Sequence, residues 1–375
     1  MMKIILTGAT GVLGSHIMYE ILELLILEKT EGKLFLIARN KGKKSALDRI
    51  NELLSSNYTP TLIKEQGLEK LHSYIKIIDS DLESLNADFT EEIRGSYFIH
   101  SSGFVNLSTD ESQKKVIFDE NTKITKALFT TFHPFIKKFI YIGTAFSSGI
   151  RKGLIKNDFH NLDFKPEHRN AYEAAKFHSE NYIASECNKL GLPFQILRPS
   201  VIGGKMLGIE NRYFIPKYMV FYLLAKFFYF NTLRKVEQEN VRFIVNDDTV
   251  LNVVPLDYVA KVIVNVFERN DIEQLNIVHE KSYNMSNGLQ VILKEVGYTN
   301  FTLIQNPLEF KYKNTIEKLY YESIGKHLNP YFTSEPNEYD TTLLSSILEI
   351  PRLDQEEFTN MIRHAKNQNF KDINV

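Results

Sequence analysis

The stretch Gly8-Ala9-Thr10-Gly11-Val12-Leu13-Gly14 decides the fold class of this 375-residue chain. It directly follows an apolar run at residues 3–6 and leads into a helical pattern at residues 16–28. In such a strand–turn–helix unit, glycines permit a sharp turn, a close approach of the backbone to a pyrophosphate, and tight packing of helix on strand. The helix N-terminus adds amide donors and a positive dipole end for an anion. The motif predicts a dinucleotide site that includes Gly8, Thr10, Gly11, Val12, Leu13 and Gly14.

Short apolar runs alternate with helical patterns through the first half of the chain. Further strands are predicted at residues 34–38, 74–78, 96–101, 138–142 and 194–198. Uninterrupted apolar strands that alternate with helices indicate a parallel sheet covered on both faces. We therefore expect an α/β fold with a doubly wound parallel Rossmann sheet, whose ligand lies outside the carboxyl ends of the strands.

The second half has a different character, because aromatic-rich helical segments replace the strand rhythm after Pro199. We predict a Rossmann nucleotide-binding domain over residues 1–202, to which residues 251–266 return. Residues 203–250 and 267–375 are predicted to form a smaller, mostly helical, substrate-binding lobe. A chain of this length accommodates such a division.

Composition excludes several classes of function. The chain has 45 Lys and Arg residues against 46 Asp and Glu, and this balance argues against a nucleic-acid partner, which needs a basic surface. A single cysteine, Cys187, excludes an internal disulfide, and the histidines lack metal-ligand spacing, so no metal site is expected. The sequence shows no signal peptide and no apolar run of about 18 residues. We expect a cytoplasmic protein without a transmembrane segment.

The residue that follows the second predicted strand indicates the cofactor. Dinucleotide folds that bind NAD usually have an acidic residue here, whereas this chain has Arg39. An arginine would pair with a 2′-phosphate, and such a charge-assisted bond contributes about 1.5–3 kcal/mol. That energy corresponds to a roughly tenfold to hundredfold preference. The nearby Lys41, Lys43 and Lys44 could add to this site or simply solvate a loop. NADP(H) is the predicted cofactor.

Three Tyr-x-x-x-Lys pairs occur, and each would place both side chains on one helix face. They are Tyr172/Lys176, Tyr213/Lys217 and Tyr222/Lys226. Pro216 interrupts a helix through the second pair, and the third lies in an aromatic run typical of a core. The first pair lies on an amphipathic helix, predicted at residues 171–189. It also has an upstream hydroxyl, Thr144, at the carboxyl end of a predicted strand.

Thr144, Tyr172 and Lys176 form the predicted catalytic set. Hydride transfer to a carbonyl builds negative charge on its oxygen, and a tyrosine pKa of about 10 is too high for an efficient acid near neutrality. The Lys176 ammonium would lower the pKa of Tyr172, and Thr144 would donate a second hydrogen bond to the oxygen. Lys176 could also reach the cofactor ribose. Cys187 lies about 16 Å beyond Lys176 along the predicted helix, too far to act as a nucleophile there.

These residues resemble the extended short-chain dehydrogenases/reductases, and more narrowly their thioester reductase and fatty acyl-CoA reductase ("male sterility") branch. The glycine motif, the catalytic set and Arg198-Pro199-Ser200 stand in the order of that superfamily. Residues 32–39 with Arg49 resemble the branch's segment for the NADPH phosphate, Asp81-Leu82 its adenine motif, and His100-Ser101-Ser102-Gly103 its His-Ser-Ala-Ala segment. Gly143 stands where the branch usually has serine. The resemblance implies cofactor contacts by Arg49, Asp81, Leu82, Ser101, Ser102, Gly103, Lys176, Pro199 and Ser200.

The resemblance also implies a reaction. NADPH would reduce the thioester of an acyl-CoA or of an acyl chain bound to a carrier protein. An aldehyde and a free thiol would result, and some members of the branch reduce the aldehyde further to the alcohol.

Other functions on the same scaffold stay open at this point. They are a sugar-nucleotide epimerase or dehydratase, a hydroxysteroid-type dehydrogenase, and a non-catalytic NADP-binding protein. Arg39 argues against the epimerases, and the complete catalytic set argues against the binding protein. The aromatic segment at residues 213–230 could line an acyl tunnel, rest on a membrane surface as a peripheral contact, or be a core helix of the lobe.

Overall fold

The computed structural model describes residues 1–27, 31–79, 87–158, 166–234, 237–305 and 309–373. In these ranges the strands are β1 Met2–Thr7, β2 Gly32–Ala38, β3 Ile75–Asp79, β4 Ser96–His100, β5 Ile136–Ile142, β6 Gly153–Ile155, β7 Phe194–Pro199, β8 Val201–Gly203, β9 Val241–Ile244, β10 Val250–Leu251, β11 Val253–Pro255, β12 Gln274–Ile277, β13 Tyr283–Asn284, β14 Phe301–Ile304 and β15 Asn337–Tyr339.

The α-helices in the same ranges are α1 Val12–Leu27, α2 Ala46–Leu54, α3 Thr61–Lys64, α4 Gly67–Tyr74, α5 Ala87–Ile93, α6 Glu111–Phe118, α7 Ile124–Phe132, α8 Ala171–Leu190, α9 Phe221–Thr232, α10 Leu256–Val266, α11 Met285–Glu295, α12 Thr315–Tyr320, α13 Lys326–Phe332, α14 Thr342–Ile347 and α15 Gln355–Asn367. A π-helical turn at Asp119–Lys123 joins α6 to α7, and a second one at Tyr321–Gly325 joins α12 to α13. A short 3₁₀ helix spans Ala145–Ser148.

Seven strands form the central sheet in the order β12-β7-β5-β4-β1-β2-β3, and every neighbouring pair is parallel. The chain builds outward from β1 to β3 and then crosses back to β4 on the other side of β1. This reversal creates a crevice between the carboxyl ends of β1 and β4, where doubly wound folds bind their ligands. The predicted doubly wound Rossmann sheet is confirmed.

The strands are buried on both faces, which explains their continuous apolar sequences. In β1, Ile4 and Leu6 join the core on one face, while Ile5 joins the core on the other. Successive side chains of a strand point to opposite faces, so a strand covered on both sides needs apolar residues at every position. Helices α1 and α10 pack together on the first face, and α7 and α8 contribute to the core on the second.

The division between sheet and lobe differs in detail from the sequence prediction. Within residues 251–266, β11 pairs with β8 outside the main sheet, and α10 packs against α1. The seventh strand of the main sheet, β12, lies inside the range 267–375 that was assigned to the lobe. The strand Gln-Leu-Asn-Ile alternates polar and apolar residues, but four residues are too few to be recognised by that pattern, and pairing with β7 defines the strand.

The aromatic segment at residues 213–230 contributes a helix to the interior of the lobe. Helix α9 packs against α11 and α15, and Tyr222, Leu224 and Phe228 are completely buried. Leu223 and Phe230 are its large apolar side chains that face outward. Of the three alternatives for this segment (acyl tunnel, membrane contact or core helix), these buried side chains favour the core helix of the lobe. None of the helices in the described ranges combines the length and hydropathy that a transmembrane span requires.

The glycine turn generates a prediction about stability. A Cβ on Gly14 would lie 2.0 Å from the carbonyl oxygen of Gly8, so Gly14→Ala must displace the start of α1 from β1. We expect a loss of about 1–3 kcal/mol in the free energy of unfolding, as for overpacked cores. Gly208→Ala is the matched control, because the nearest atom to its added Cβ is 3.9 Å away. Equal urea midpoints for the two variants would contradict this interpretation.

Candidate active site

The glycine turn after β1 presses against the loop that follows β4. Gly8 has φ +76°, and a Cβ at this position would lie 2.7 Å from the amide nitrogen of Ser102. The Gly11 amide donates to the Gly8 carbonyl at 2.8 Å, which closes the turn immediately before α1. Gly11 itself is exposed, while Thr10 and Val12 are half-buried and Leu13 points into the core. The turn thus leaves backbone open at the crevice.

Two arginines converge beside this turn. Arg49, on α2, is buried and donates to the Thr10 hydroxyl at 2.6 Å and to the Arg39 carbonyl at 2.7 Å. The Arg39 side chain is exposed at the end of β2. Burial lowers the pKa of Arg49, and the like charge of Arg39 lowers it further. Two neighbouring guanidinium groups repel each other, so an anion placed between them would be stabilised.

The loop after β4 brings Ser101, Ser102 and Gly103 to the same crevice. The Ser102 amide donates to the Thr7 hydroxyl at 3.1 Å. The Ser101 hydroxyl is buried and has no hydrogen-bond partner among the described residues. Buried polar atoms are normally satisfied, so the Ser101 hydroxyl fits a bound nucleotide, to which it could donate a hydrogen bond. The Ser102 amide already has a hydrogen-bond partner within the protein, so its position does not require a bound ligand.

A buried histidine joins the two loops. His100 Nδ1 lies 2.8 Å from the Thr7 hydroxyl, and its Nε2 lies 2.9 Å from the Thr125 hydroxyl. Thr125 donates its own proton to the Asn121 carbonyl at 2.7 Å, so Nε2 must be the donor and Nδ1 the acceptor. Burial lowers the pKa of His100 to about 3, and the charge of Lys176 acts in the same direction. The ring is therefore neutral.

Other predicted cofactor residues have different surroundings. Pro199 ends β7 beside Ile277, and the Ser200 hydroxyl donates to the Asn252 carbonyl at 2.9 Å. Both are at the same edge of the sheet as the glycine turn. The described contacts give Ser200 a structural partner rather than a free hydroxyl. Asp81 and Leu82 lie outside the described residues.

Lys176 reaches from α8 to the crevice. Its ammonium donates to the Ile142 carbonyl at 2.7 Å and lies 4.5 Å from the centre of the Tyr141 ring. A Cβ on Gly103 would be 3.6 Å from the same nitrogen. The lysine is therefore held between the carboxyl ends of β4 and β5. Burial lowers its pKa, while Tyr172 and Glu180 raise it.

Tyr172 lies in the first turn of α8, one turn before Lys176, and its side chain is half-buried. The sequence predicts a lowered pKa for this phenol. Lys176 does lower it, but burial outweighs that effect, and the pKa of Tyr172 is raised. Desolvation penalises the phenolate more than one ammonium favours it. The phenol is therefore protonated near neutral pH, which is the form that donates a hydrogen bond to a carbonyl.

Thr144 follows β5 at the same edge and begins the 3₁₀ helix Ala145–Ser148. Its hydroxyl accepts from the Phe146 amide at 3.4 Å, and its amide donates to Glu180 at 3.4 Å. The described residues of the predicted nucleotide and catalytic groups thus meet at the carboxyl ends of β1, β2, β4, β5 and β7. They come from distant parts of the chain.

Two polar residues of this region were not predicted as site residues from the sequence. Asn121, in the π-helical turn before α7, accepts from the Phe104 amide at 3.1 Å and donates to the Phe104 carbonyl at 3.1 Å. It thereby holds the loop after Gly103. Glu180 is completely buried beneath Thr144. Its spacing from Tyr172 and Lys176, two turns and one turn of helix, is the signal that could have identified it.

Comparison with known proteins identifies the family. The family model described as "Male sterility protein" matches residues 6–263. This chain belongs to the male sterility family. Its resemblance to the thioester reductase branch of the extended short-chain dehydrogenases/reductases is thereby confirmed. A search of curated protein sequences returns no match.

Solved structures share the fold of this male sterility family member. The terminal R domain from the myxalamid PKS-NRPS biosynthetic pathway superposes with a TM-score of 0.70 at 19% identity, covering 99% of this chain and 92% of that one. UDP-glucuronic acid 4-epimerase from Bacillus cereus, in complex with UDP-glucuronic acid and NAD, has a TM-score of 0.63 at 18% identity, with 98% and 99% coverage. UDP-glucose 4-epimerase from Thermotoga maritima has a TM-score of 0.60 at 15% identity, with 99% and 100% coverage.

These findings support a nicotinamide nucleotide as the cofactor of this family member. The extended short-chain dehydrogenases/reductases are oxidoreductases and epimerases that use NAD or NADP. The glycine turn after β1 and the Lys176 ammonium can donate hydrogen bonds to such a nucleotide. The Ser101 hydroxyl, which has no hydrogen-bond partner among the described residues, can do the same. The solved structures share the fold with this chain.

The neutral state of His100 predicts a pH dependence of stability. A base whose folded pKa is about 3 and whose unfolded pKa is about 6.5 loses stability as the pH falls below 6.5, because the unfolded chain binds the proton more tightly. At pH 5 this term amounts to about 2 kcal/mol. His100→Gln cannot protonate, so the loss between pH 7.5 and pH 5 should be smaller by that amount in urea unfolding.

The measurement at pH 7.5 separates the two effects of His100→Gln. Any loss there reports altered hydrogen bonds to Thr7 and Thr125, since the wild-type ring is neutral at that pH. The difference between the two pH values then isolates the proton. Identical pH dependences for wild type and variant would show that His100 is not buried as a neutral ring.

Proposed function

We propose that this protein is an NADPH-dependent reductase of acyl thioesters, which converts an acyl-CoA or a carrier-bound acyl chain to the aldehyde. The observation that carries the proposal is the placement of Lys176. Its ammonium is fixed by the Ile142 carbonyl at 2.7 Å, beside Gly103 and one helical turn from Tyr172. A group bound along the crevice would meet both side chains. The family and the fold of the terminal R domain support the thioester as the substrate class.

The phosphate-bearing form of the nucleotide is favoured by Arg39 and Arg49. The exposed Arg39 guanidinium is available at the end of β2, and Arg49 is fixed beneath it by the Thr10 hydroxyl. Lys44 is less suited to this role, because it forms a salt bridge with Glu52 at 2.5 Å. The 2′-phosphate of NADPH would relieve the repulsion between the two guanidinium groups.

When bound, NADPH supplies the hydride that reduces the thioester carbonyl. Tyr172 donates a hydrogen bond from its protonated phenol to the carbonyl oxygen, and Thr144 provides a second hydroxyl as negative charge develops. Lys176 stabilises that charge electrostatically and can also bind the cofactor ribose. Tyr172 transfers its phenolic proton to that carbonyl oxygen, which gives the hemithioacetal, and takes the proton back as the C–S bond breaks. The departing thiolate acquires a proton from solvent, and the aldehyde and the thiol are left. A second reduction of the same kind would give the alcohol.

The remaining parts of the chain fit this function. We expect an acyl substrate to bind next to the crevice, where Tyr331 and Tyr339 of the predicted lobe approach α8 and the turn after Thr144. Phe146 and Tyr331 pack edge to face at 5.5 Å where the lobe meets the turn after Thr144. They provide an apolar wall for an acyl chain. Helix α9 supports this lobe from inside and does not present a continuous apolar face.

We expect the enzyme to release a free thiol as it forms the aldehyde, and we expect kcat to fall when the Tyr172 hydroxyl is removed. Purified protein should oxidise NADPH when given a fatty acyl-CoA, and it should release one thiol for each thioester consumed. Tyr172→Phe should lower kcat by a factor of about 10²–10⁴, the usual contribution of a positioned acid. Binding of NADPH should persist, because the ring is retained. The measurements are NADPH absorbance, thiol titration and nucleotide fluorescence.

Two outcomes would contradict the proposal. Oxidation of NADPH by ketones alone, without thiol release, would favour a dehydrogenase of the hydroxysteroid type. Undiminished thioester reduction by Tyr172→Phe would refute the assignment of the phenol. Tyr213→Phe serves as the matched control, since its hydroxyl donates to Glu357 at 2.8 Å in the lobe and should not affect kcat.

Cofactor choice is predicted to depend on Arg39. Arg39→Ala should weaken NADPH binding roughly tenfold to hundredfold. This change in affinity corresponds to the loss of a charge-assisted hydrogen bond of about 1.5–3 kcal/mol. NADH binding should change little, because NADH lacks the 2′-phosphate. Lys43→Ala, an exposed lysine in the same loop, is the control. Equal losses for both nucleotides in a fluorescence titration would mean that Arg39 does not recognise the phosphate.

A further inference from the structure

A buried ion pair lies directly behind the turn that carries Thr144. Glu180 on α8 and Arg198 on β7 are both completely buried, and the Arg198 Nε donates to Glu180 Oε2 at 2.7 Å. A buried pair of this kind has a large desolvation cost and is weak evidence for a role in stability alone. Its position between the catalytic helix and the end of β5 suggests a more specific role.

The Glu180 carboxylate binds the catalytic turn itself. Its Oε1 accepts from the Thr144 amide at 3.4 Å, and its Oε2 lies 3.0 Å from the Ser147 hydroxyl, whose single proton it shares with the Thr144 carbonyl. The Ser147 hydroxyl also lies 2.7 Å from the Thr144 carbonyl. Both ends of the first turn after β5 are therefore tied to one side chain of α8.

That side chain lies on the helix face that also carries Tyr172 and Lys176. Residues at intervals of four along an α-helix share a face, so Tyr172, Lys176 and Glu180 form a row on α8. Glu180 thus connects the Thr144 turn to the same rigid element that positions the phenol and the ammonium. A displacement of Glu180 would change the position of Thr144 relative to Tyr172.

Arg198 holds the carboxylate in place from the opposite side. Its Nη1 donates to the Asn157 carbonyl at 2.9 Å, and its Nη2 donates to the Gln274 side chain at 2.7 Å. The guanidinium is therefore anchored to β12 and to the segment after β6. This fixed cation supplies the opposite charge that a buried carboxylate requires in a dry environment.

Gly143 provides the space for this arrangement. A Cβ at residue 143 would lie 2.2 Å from Glu180 Oε1 and 2.9 Å from its Cδ. Any larger residue would have to displace the carboxylate. The glycine at this position, where the branch usually has serine, is therefore matched to the close approach of Glu180.

We propose that Glu180, clamped by Arg198 and accommodated by Gly143, is a positioning residue that fixes the Thr144 turn relative to Tyr172 and Lys176. This inference rests on the proposed function, because it assigns Thr144 to the stabilisation of the substrate oxygen. Glu180 itself does not touch the reacting atoms. It acts through the amide of Thr144 and the hydroxyl of Ser147.

The test compares two buried glutamates in the full-length protein. Glu180→Gln keeps the shape but leaves one acceptor oxygen, so it cannot bind both the Arg198 guanidinium and the Thr144 amide. Glu317→Gln is the matched control, since Glu317 is also completely buried, accepts from Arg242 Nε at 2.8 Å and from the Lys313 amide at 2.8 Å, and lies in the lobe. Both variants should be less stable than the wild type.

Two readouts separate positioning from a general structural role. In Glu180→Gln, kcat per folded molecule should fall on the order of tenfold to hundredfold, as for misplaced catalytic groups, while the KM for NADPH stays within about twofold. Hydrogen–deuterium exchange in the peptide spanning residues 143–149 should accelerate. Glu317→Gln should change neither quantity.

A second variant covers the case in which Glu180→Gln does not fold. Gly143→Ala retains both charges but pushes the carboxylate away, and it should reproduce the fall in kcat and the faster exchange, with Gly208→Ala as its control. Unchanged exchange at 143–149, or equal kcat in the Glu180 and Glu317 variants, would overturn the proposal. If the wild type reduces no thioester, the proposed function fails, and the exchange measurement still decides whether Glu180 holds the turn.

Discussion

The loop after β1 can contact the loop after β4 only because residue 8 has no side chain. A Cβ on Gly8 would lie 2.7 Å from the Ser102 amide nitrogen and 2.9 Å from the Ser101 carbonyl, so any other residue would separate the two strand ends. The crevice at the switch point of the sheet depends on that approach. His100, between Thr7 and Thr125, lies at the same junction of β1 and β4, and Lys176 binds the Ile142 carbonyl at the end of β5.

The site concentrates charged groups in a region with little solvent, and each has a defined partner. Lys176 binds a backbone carbonyl, Glu180 pairs with Arg198, and Arg169 pairs with Glu173 at 3.4 Å beside Tyr172. In a low dielectric these pairs favour one arrangement of the elements over others. Burial also explains why Tyr172 has a raised rather than a lowered pKa. A protonated phenol suits a reduction, in which the substrate oxygen gains negative charge.

The C-terminal segment contacts the two elements that carry Thr144 and Tyr172. The Asn170 side chain, which caps α8, donates to the Tyr331 hydroxyl at 2.7 Å, and the Tyr339 hydroxyl donates to the Ala145 carbonyl at 3.4 Å. Strand β15 also pairs with β6. The position of this C-terminal segment is therefore coupled directly to the turns at Thr144 and Tyr172.

The strand–turn–helix unit at Gly8, the doubly wound sheet and the family could all be predicted from the order of residues along the chain. Local patterns carry this information, because apolar periodicity and glycine positions depend on neighbouring residues. Only the tertiary structure decided that Gln274–Ile277 joins the sheet, that burial raises the pKa of Tyr172, and that Glu180 lies under Thr144. These features depend on contacts between distant segments and on desolvation, and neither is contained in the spacing of residues along one chain.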